Sequence, residues 1–116
     1  MSDGRLLNKE EIDLITAMVR WTPKECEIIE SLAKCLVKDM SDGGMGSLLF
    51  LSADSRTRCF GKKIAEAEFD DEDGILVSVT INIDNYGLLF ELDIWKVDFS
   101  QLKRYPLPNE IRRVHV

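Results

Sequence analysis

Residues 75–95 read ILVSVTINIDNYGLLFELDIW, and the alternation in this stretch decides the fold. Ile75, Val77, Val79, Ile81 and Ile83 alternate with Leu76, Ser78, Thr80 and Asn82. That is the period of a half-buried β-strand whose odd positions face a core. Asp84-Asn85-Tyr86-Gly87 supplies a turn, after which Leu88, Phe90, Leu92 and Ile94 alternate with Leu89, Glu91, Asp93 and Trp95. The spacing predicts an antiparallel hairpin with Leu88, Phe90, Leu92 and Ile94 inward. Leu89, Glu91, Asp93 and Trp95 then share the opposite face.

Upstream, a strand is expected over 62–69, closed by the turn at 70–74. Ser41-Asp42-Gly43-Gly44 reads as a tight turn between strands at 37–40 and 47–52, because Asp-Gly and Gly-Gly tolerate the positive φ that hairpin turns demand. A polar connection is expected over 53–58. The N-terminal third changes period. Asn8 and Glu11 have capping-box spacing, Leu7 and Ile12 can staple across them, and Ile12, Ile15 and Val19 continue one apolar stripe to about residue 20. Thr22 followed by Pro23 and Glu25 reads as a second cap, with Cys26, Ile29, Leu32, Ala33 and Leu36 as the second stripe. The expected architecture is α+β: two N-terminal helices packed on one face of an antiparallel meander of about five strands. The tail after Ser100, with Pro106 and Pro108, is expected to wrap as extended chain.

The chain has 116 residues, 45% hydrophobic and 31% charged. One domain spanning residues 1–116 follows, since two cores of half this size would each be too small to offset the entropy of ordering the chain. Residues 1–5 carry no basic region followed by an apolar core, and no stretch approaches the roughly 20 apolar residues that span a bilayer. A cytoplasmic protein is expected. Cys26, Cys35 and Cys59 are odd in number and lack CxxC spacing, which predicts free, mostly buried thiols rather than a disulfide framework or a zinc site.

Charge is segregated. Residues 66–98 hold ten carboxylates and one basic residue, whereas the preceding 65 residues balance ten acids with ten bases. This middle carries −9, and the excess of three bases after residue 98 brings the formal net charge to −6. An acidic surface repels phosphate backbones and anionic lipids, so nucleic acid and membrane are not expected as ligands, and a basic protein is.

The acids fit no metal loop. With Gly74 in the sixth position of a calcium loop, Phe69 is first and Thr80 last; with Gly87 there, Tyr86 falls on the fifth ligand. Glu66/Glu68 and Glu91/Asp93 each share a strand face, as general acid–base pairs would, but the ordinary polar face of a half-exposed sheet accounts for them without catalysis. Gly43-Gly44-Met45-Gly46-Ser47 has the glycines of a phosphate cradle, lacks the P-loop lysine, and is flanked by Asp39 and Asp42. The single histidine, His115, lies near the end of the chain, away from any cysteine in sequence. No catalytic residue, metal or cofactor is expected. Trp95 stands out, because its phase sets a large aromatic among Glu91 and Asp93. Aromatics ringed by charge are common interface anchors, although the C-terminal tail could equally cover this one.

Residues 39–48, DMSDGGMGSL, and 89–100, LFELDIWKVDFS, resemble those of a small bacterial domain family without an assigned function. Its members are similar in an acidic first helix, a Phe-Gly element like Phe60-Gly61 and an Asp-Gly turn like Asp73-Gly74. The resemblance implies no reaction and no ligand. By type, the size and acidity are similar to immunity proteins of bacterial toxin–immunity pairs, which implies a cognate, basic nuclease toxin domain as partner. The residues expected to bind it are Asp70, Asp71, Glu72, Asp73, Asp84, Glu91, Asp93 and Trp95. Reversing Asp71, Asp73 and Glu91 to lysine is expected to slow association and leave the fold intact. The alternatives are a small enzyme or ligand-binding domain with a pocket between helices and sheet, and a structural or regulatory subunit that homodimerises through an edge strand.

Overall fold

The computed structural model describes residues 4–52 and 57–115. In chain order these form β1 (Arg5–Leu6), α1 (Lys9–Val19), α2 (Glu25–Leu32), β2 (Leu36–Asp39), β3 (Leu48–Phe50), β4 (Phe60–Asp70), β5 (Leu76–Asp84), β6 (Leu89–Lys96), a 3-10 turn η1 (Pro108–Glu110) and β7 (Arg112–Val114). The architecture is α+β, with two helices on one face of an antiparallel sheet. Among the described residues the sheet has seven strands rather than about five, in the order β1-β2-β3-β6-β5-β4-β7. It is not a simple meander. β3 pairs with β6, through Leu48↔Leu92 and Leu49↔Glu91, so two meanders meet at β6. The polar connection expected over 53–58 lies largely outside the described residues.

β5 has the expected phase: Val77, Val79, Ile81 and Ile83 are all buried. β6 begins out of phase because its register with β5 shifts between Asn82 and Ile83, where Ile83 pairs with Leu89. An irregular residue in a ladder turns the side chains before it to the other face. Leu89 therefore packs against the core and Leu88 is exposed, the reverse of the expected arrangement. From Glu91 onward the phase is as expected, with Leu92 and Ile94 buried.

α1 has the predicted cap: Asn8 accepts from the Glu11 N–H and Glu11 accepts from the Asn8 N–H, each at 2.9 Å. Leu14, Ile15, Met18 and Val19 are its fully buried residues. α2 departs from expectation. Its N-cap is Lys24, which makes no side-chain cap bond, and the Thr22 hydroxyl instead donates to the Val19 carbonyl at 2.8 Å. Ile28 and Leu32 face the core, whereas Cys26, Ala33 and Leu36 are exposed. The thiols are free but not buried: Cys26 and Cys59 are exposed and Cys35 is half-buried. No helix among the described residues is long and apolar enough to cross a membrane.

The tail crosses the helix-bearing face. Leu102, Tyr105 and Ile111 pack against the core, the Tyr105 hydroxyl donates to the Gly46 carbonyl at 2.8 Å, and β7 then adds to the edge of β4. Gly46 has φ +97°, and a Cβ there would lie 3.2 Å from Leu102 and 3.3 Å from Tyr105. Gly61 is needed for proximity instead, since a Cβ on it would sit 2.3 Å from the Asp84 carbonyl oxygen. Among the described residues no helix packs on the opposite sheet face, hereafter the open face.

Candidate functional site

Cross-strand register builds the open face in rows. Glu66, Thr80 and Asp93 form one, Glu68, Ser78 and Trp95 the next, and Lys63, Asn82 and Glu91 a third that continues to Leu49 and Lys38. Trp95 is 48% exposed, so the tail does not cover it. Its neighbour is Phe99, 69% exposed, with ring centroids 6.0 Å apart and planes tilted by 50°. Phe99 has φ +64°, a left-handed conformation that is unfavourable for a bulky residue. The chain is fixed there by the Phe99 N–H donating to the Lys96 carbonyl at 2.9 Å, and by the Ser100 N–H and hydroxyl donating to Asp98 at 3.0 and 2.6 Å.

Five carboxylates share this face: Glu66, Glu68, Asp70, Glu91 and Asp93. Lys63 pairs with Glu66, and Arg112 lies 3.5 Å from Glu68 and 3.3 Å from Asp70. Glu91 accepts only from the Asn82 amide, at 3.3 Å, and Asp93 has no basic partner among the described residues. The two acids nearest Trp95 along β6 are thus the ones left without a counter-charge.

The turn acids divide differently. Asp71 is 5% exposed, and its carboxylate takes the Lys96 ammonium at 2.9 Å and the Lys103 N–H at 2.8 Å. Asp73 takes the same ammonium at 2.6 Å, and the Gln101 carbonyl accepts from it at 3.1 Å. Lys96 itself is wholly buried. Burial works against ionisation of Asp71, but the Lys103 N–H, Lys96 and the Glu72 N–H outweigh it and hold the carboxyl below its ordinary range. Asp73 is lowered chiefly by Lys96. Burial likewise opposes the charge on Lys96, and Asp73 and Asp71 overcome it to raise the ammonium above its ordinary value. Asp71 and Asp73 thus grip a cation supplied by the chain. A lysine at either position would confront Lys96, so the expectation that their reversal spares the fold is corrected. Glu72 remains exposed.

Asp84 is also interior, at 2% exposure. It accepts from Arg58 at 2.8 Å and from the Tyr86 and Leu88 N–H groups at 2.8 and 3.0 Å, and these outweigh burial to lower its pKa. The Arg58 guanidinium also donates to the Phe50 and Leu89 carbonyls, each at 2.8 Å, and covers the Phe90 ring at 5.2 Å. It clips β3, β5 and β6 together. Sequence reasoning passed over Lys96, Arg58, Phe99 and Arg112. Lys96 carried a signal, because it extends the inward phase of Leu92 and Ile94 and is the single base in residues 66–98.

The two segments DMSDGGMGSL and LFELDIWKVDFS meet in space. Ser47 donates to the Ile94 carbonyl at 3.1 Å and accepts from the Ile94 N–H at 2.8 Å, while the Lys96 N–H reaches the Met45 sulfur at 3.3 Å. Asp42 accepts from the Met45 and Ser47 N–H groups, so its own carboxylate occupies the donors a phosphate would need. Residues 4–106 match the family described as Domain of unknown function (DUF6984). The chain belongs to this family. The DUF6984 match takes in both segments, the Lys96 network and the Trp95–Phe99 pair, and ends before η1 and β7. No curated protein and no solved structure matches the chain.

Proposed function

We propose that this DUF6984 domain is a protein-binding module that docks a basic partner on the open sheet face around Trp95 and Phe99. The observation that carries this reading is Phe99. A bulky residue in the left-handed region costs about 1–2 kcal/mol, and a large exposed aromatic gains little from water in return. A conformation with that cost, on a ring set beside a second exposed ring, is understandable where a partner covers both. Aromatic anchors of this kind dominate interface energetics, and the uncompensated Glu91 and Asp93 beside them suit lysine or arginine on the incoming surface. The neighbouring Val97, also exposed, enlarges the apolar centre of the patch.

The narrower form of the proposal is an immunity protein. A nuclease toxin presents cations for phosphate, and an acidic face imitates that charge and accelerates encounter. The test is binding to the product of the adjacent gene, measured by calorimetry and stopped flow. Trp95→Ala is expected to weaken binding about 30-fold or more, since such anchors contribute roughly 2 kcal/mol or above. Glu91→Lys with Asp93→Lys is expected to lower the association rate and flatten its salt dependence, with thermal unfolding unchanged. Full affinity in both variants would remove this face from consideration.

A further inference from the structure

On the helix-bearing side, where α1 leads into α2 beside β4, a cleft of about 240 Å³ is lined by Trp21, Pro23, Lys24, Lys62, Ile64 and Ile83, among others. Its charge is opposite to that of the open face. Lys24 makes one long contact, 3.4 Å to the Gly87 carbonyl, and Lys62 has no carboxylate partner among the described residues. The guanidinium of Arg113 lies 5.5 Å from the centroid of the Trp21 ring and likewise has no carboxylate partner among the described residues. In a chain of net charge −6, Lys24 and Lys62 in the lining and Arg113 over the Trp21 ring, none paired to an acid among the described residues, form a local excess of the rarer sign, beside a third lining cation, Lys63, that pairs with Glu66. A cleft lined by one sign of charge over an apolar floor concentrates that potential on whatever enters it.

We propose that this cleft is a binding site for a small organic carboxylate with a flat apolar body. The floor supplies Trp21, Ile64, Ile83 and the Pro23 ring for the body. Lys24 and Lys62 supply ammonium groups at the mouth for the carboxylate. At about 30 Å³ per water in the liquid, the cleft has room for roughly eight waters, which corresponds to a ligand of about ten heavy atoms. Inorganic phosphate fits less well, because the site offers point charges on flexible stems rather than a fork or a nest of backbone donors. Neither Trp95 nor Phe99 lines this site.

The experiment is titration of the 15N-labelled full chain with benzoate, followed at the Trp21 indole N–H and the backbone signals of Lys24, Lys62 and Ile64. A saturable shift confined to these signals is expected. Benzamide, of the same shape without the charge, and the Lys24→Gln/Lys62→Gln variant with benzoate should each bind roughly five- to tenfold more weakly, as loss of two exposed ion pairs implies. Both lysines are exposed, so the variant's spectrum away from the cleft should be unaltered. Absence of a saturable shift, equal affinity for benzamide, equal affinity in the variant, or tighter binding of phosphate than of benzoate would each overturn the proposal.

Discussion

Carboxylates of residues 66–98 lie both at the two ends of β5 and on the open sheet face, where β4 and β6 carry them, and the contrast between these regions lies in what meets each charge. At the ends, buried Asp71 and partly exposed Asp73 hold the buried Lys96, and buried Asp84 holds Arg58. On the face, Asp93 is exposed and Glu91 half-buried, and neither has a basic partner among the described residues. Side chains of one chemical type therefore serve the fold in one region and leave a field available to a partner in the other. A run of acids in sequence cannot be assigned to either role until the position of its bases is known.

The largest effect should come from Asp84→Ala. It removes the partner of a mostly buried guanidinium together with the acceptor of two backbone N–H groups, and a loss of about 3–5 kcal/mol is expected in urea unfolding. Asp93→Ala should stay within about 0.5 kcal/mol of the parent. Similar values for the two would erase the distinction between end and face. Lys96→Met should destabilise less than Asp84→Ala, because Asp73 is partly exposed and Asp71 keeps the Lys103 and Glu72 N–H groups. Adding Asp71→Leu should recover part of that loss, since an apolar pair leaves no buried charge uncompensated. A double variant less stable than Lys96→Met alone would mean that Asp71 acts mainly through those backbone donors.

The pH profile of stability sharpens the same contrast. Asp71 and Asp84 have folded pKa values below the unfolded 3.8, so their contribution is complete above that pH and is lost as pH falls through the folded values. Lys96 is raised above 10.5, so its contribution is complete below that pH and is lost as pH rises through the folded value. Unfolding midpoints should therefore decline below about pH 4 and again above about pH 10.5. Asp84→Asn should flatten the acid limb. The smallest effect is expected from Phe99→Gly: relief of the left-handed strain, offset by the freedom glycine gains when unfolded, should leave stability equal or higher by up to about 1 kcal/mol. The same substitution should weaken partner binding. A loss of stability there would show that the ring serves the fold.

Much of the fold was legible where the signal is local. The alternation of Val77 to Ile83 and the Asn8–Glu11 box report on neighbours a few residues away, and both elements appear as read. The β3–β6 pairing has no such signal, because adjacency between strands far apart in sequence leaves no mark on either. β1 and β7 are too short for a period to show. The candidate site was half legible. Trp95 announced itself by phase, whereas Phe99 did not, since a positive φ at a phenylalanine is set by the Lys96 carbonyl and Asp98 rather than by its own preference. Asp71 and Asp84 misled because burial of an acid depends on a cation from another strand or loop.

The place of β6 between β3 and β5 has a consequence for the order of events as the chain emerges. β1, β2 and β3 can pair early, but the free edge of β3 has no native neighbour until Leu92 has been made. Contacts of this separation are slow to close, and an unpaired edge is a template for another chain. A chain stalled or truncated before β6 would carry that edge exposed, together with the Ser47 and Met45 groups that Ile94 and Lys96 normally satisfy. Completion of β6 should thus be the step that commits the nascent domain to its native fold, and premature termination ahead of it the event that sends the chain toward aggregation.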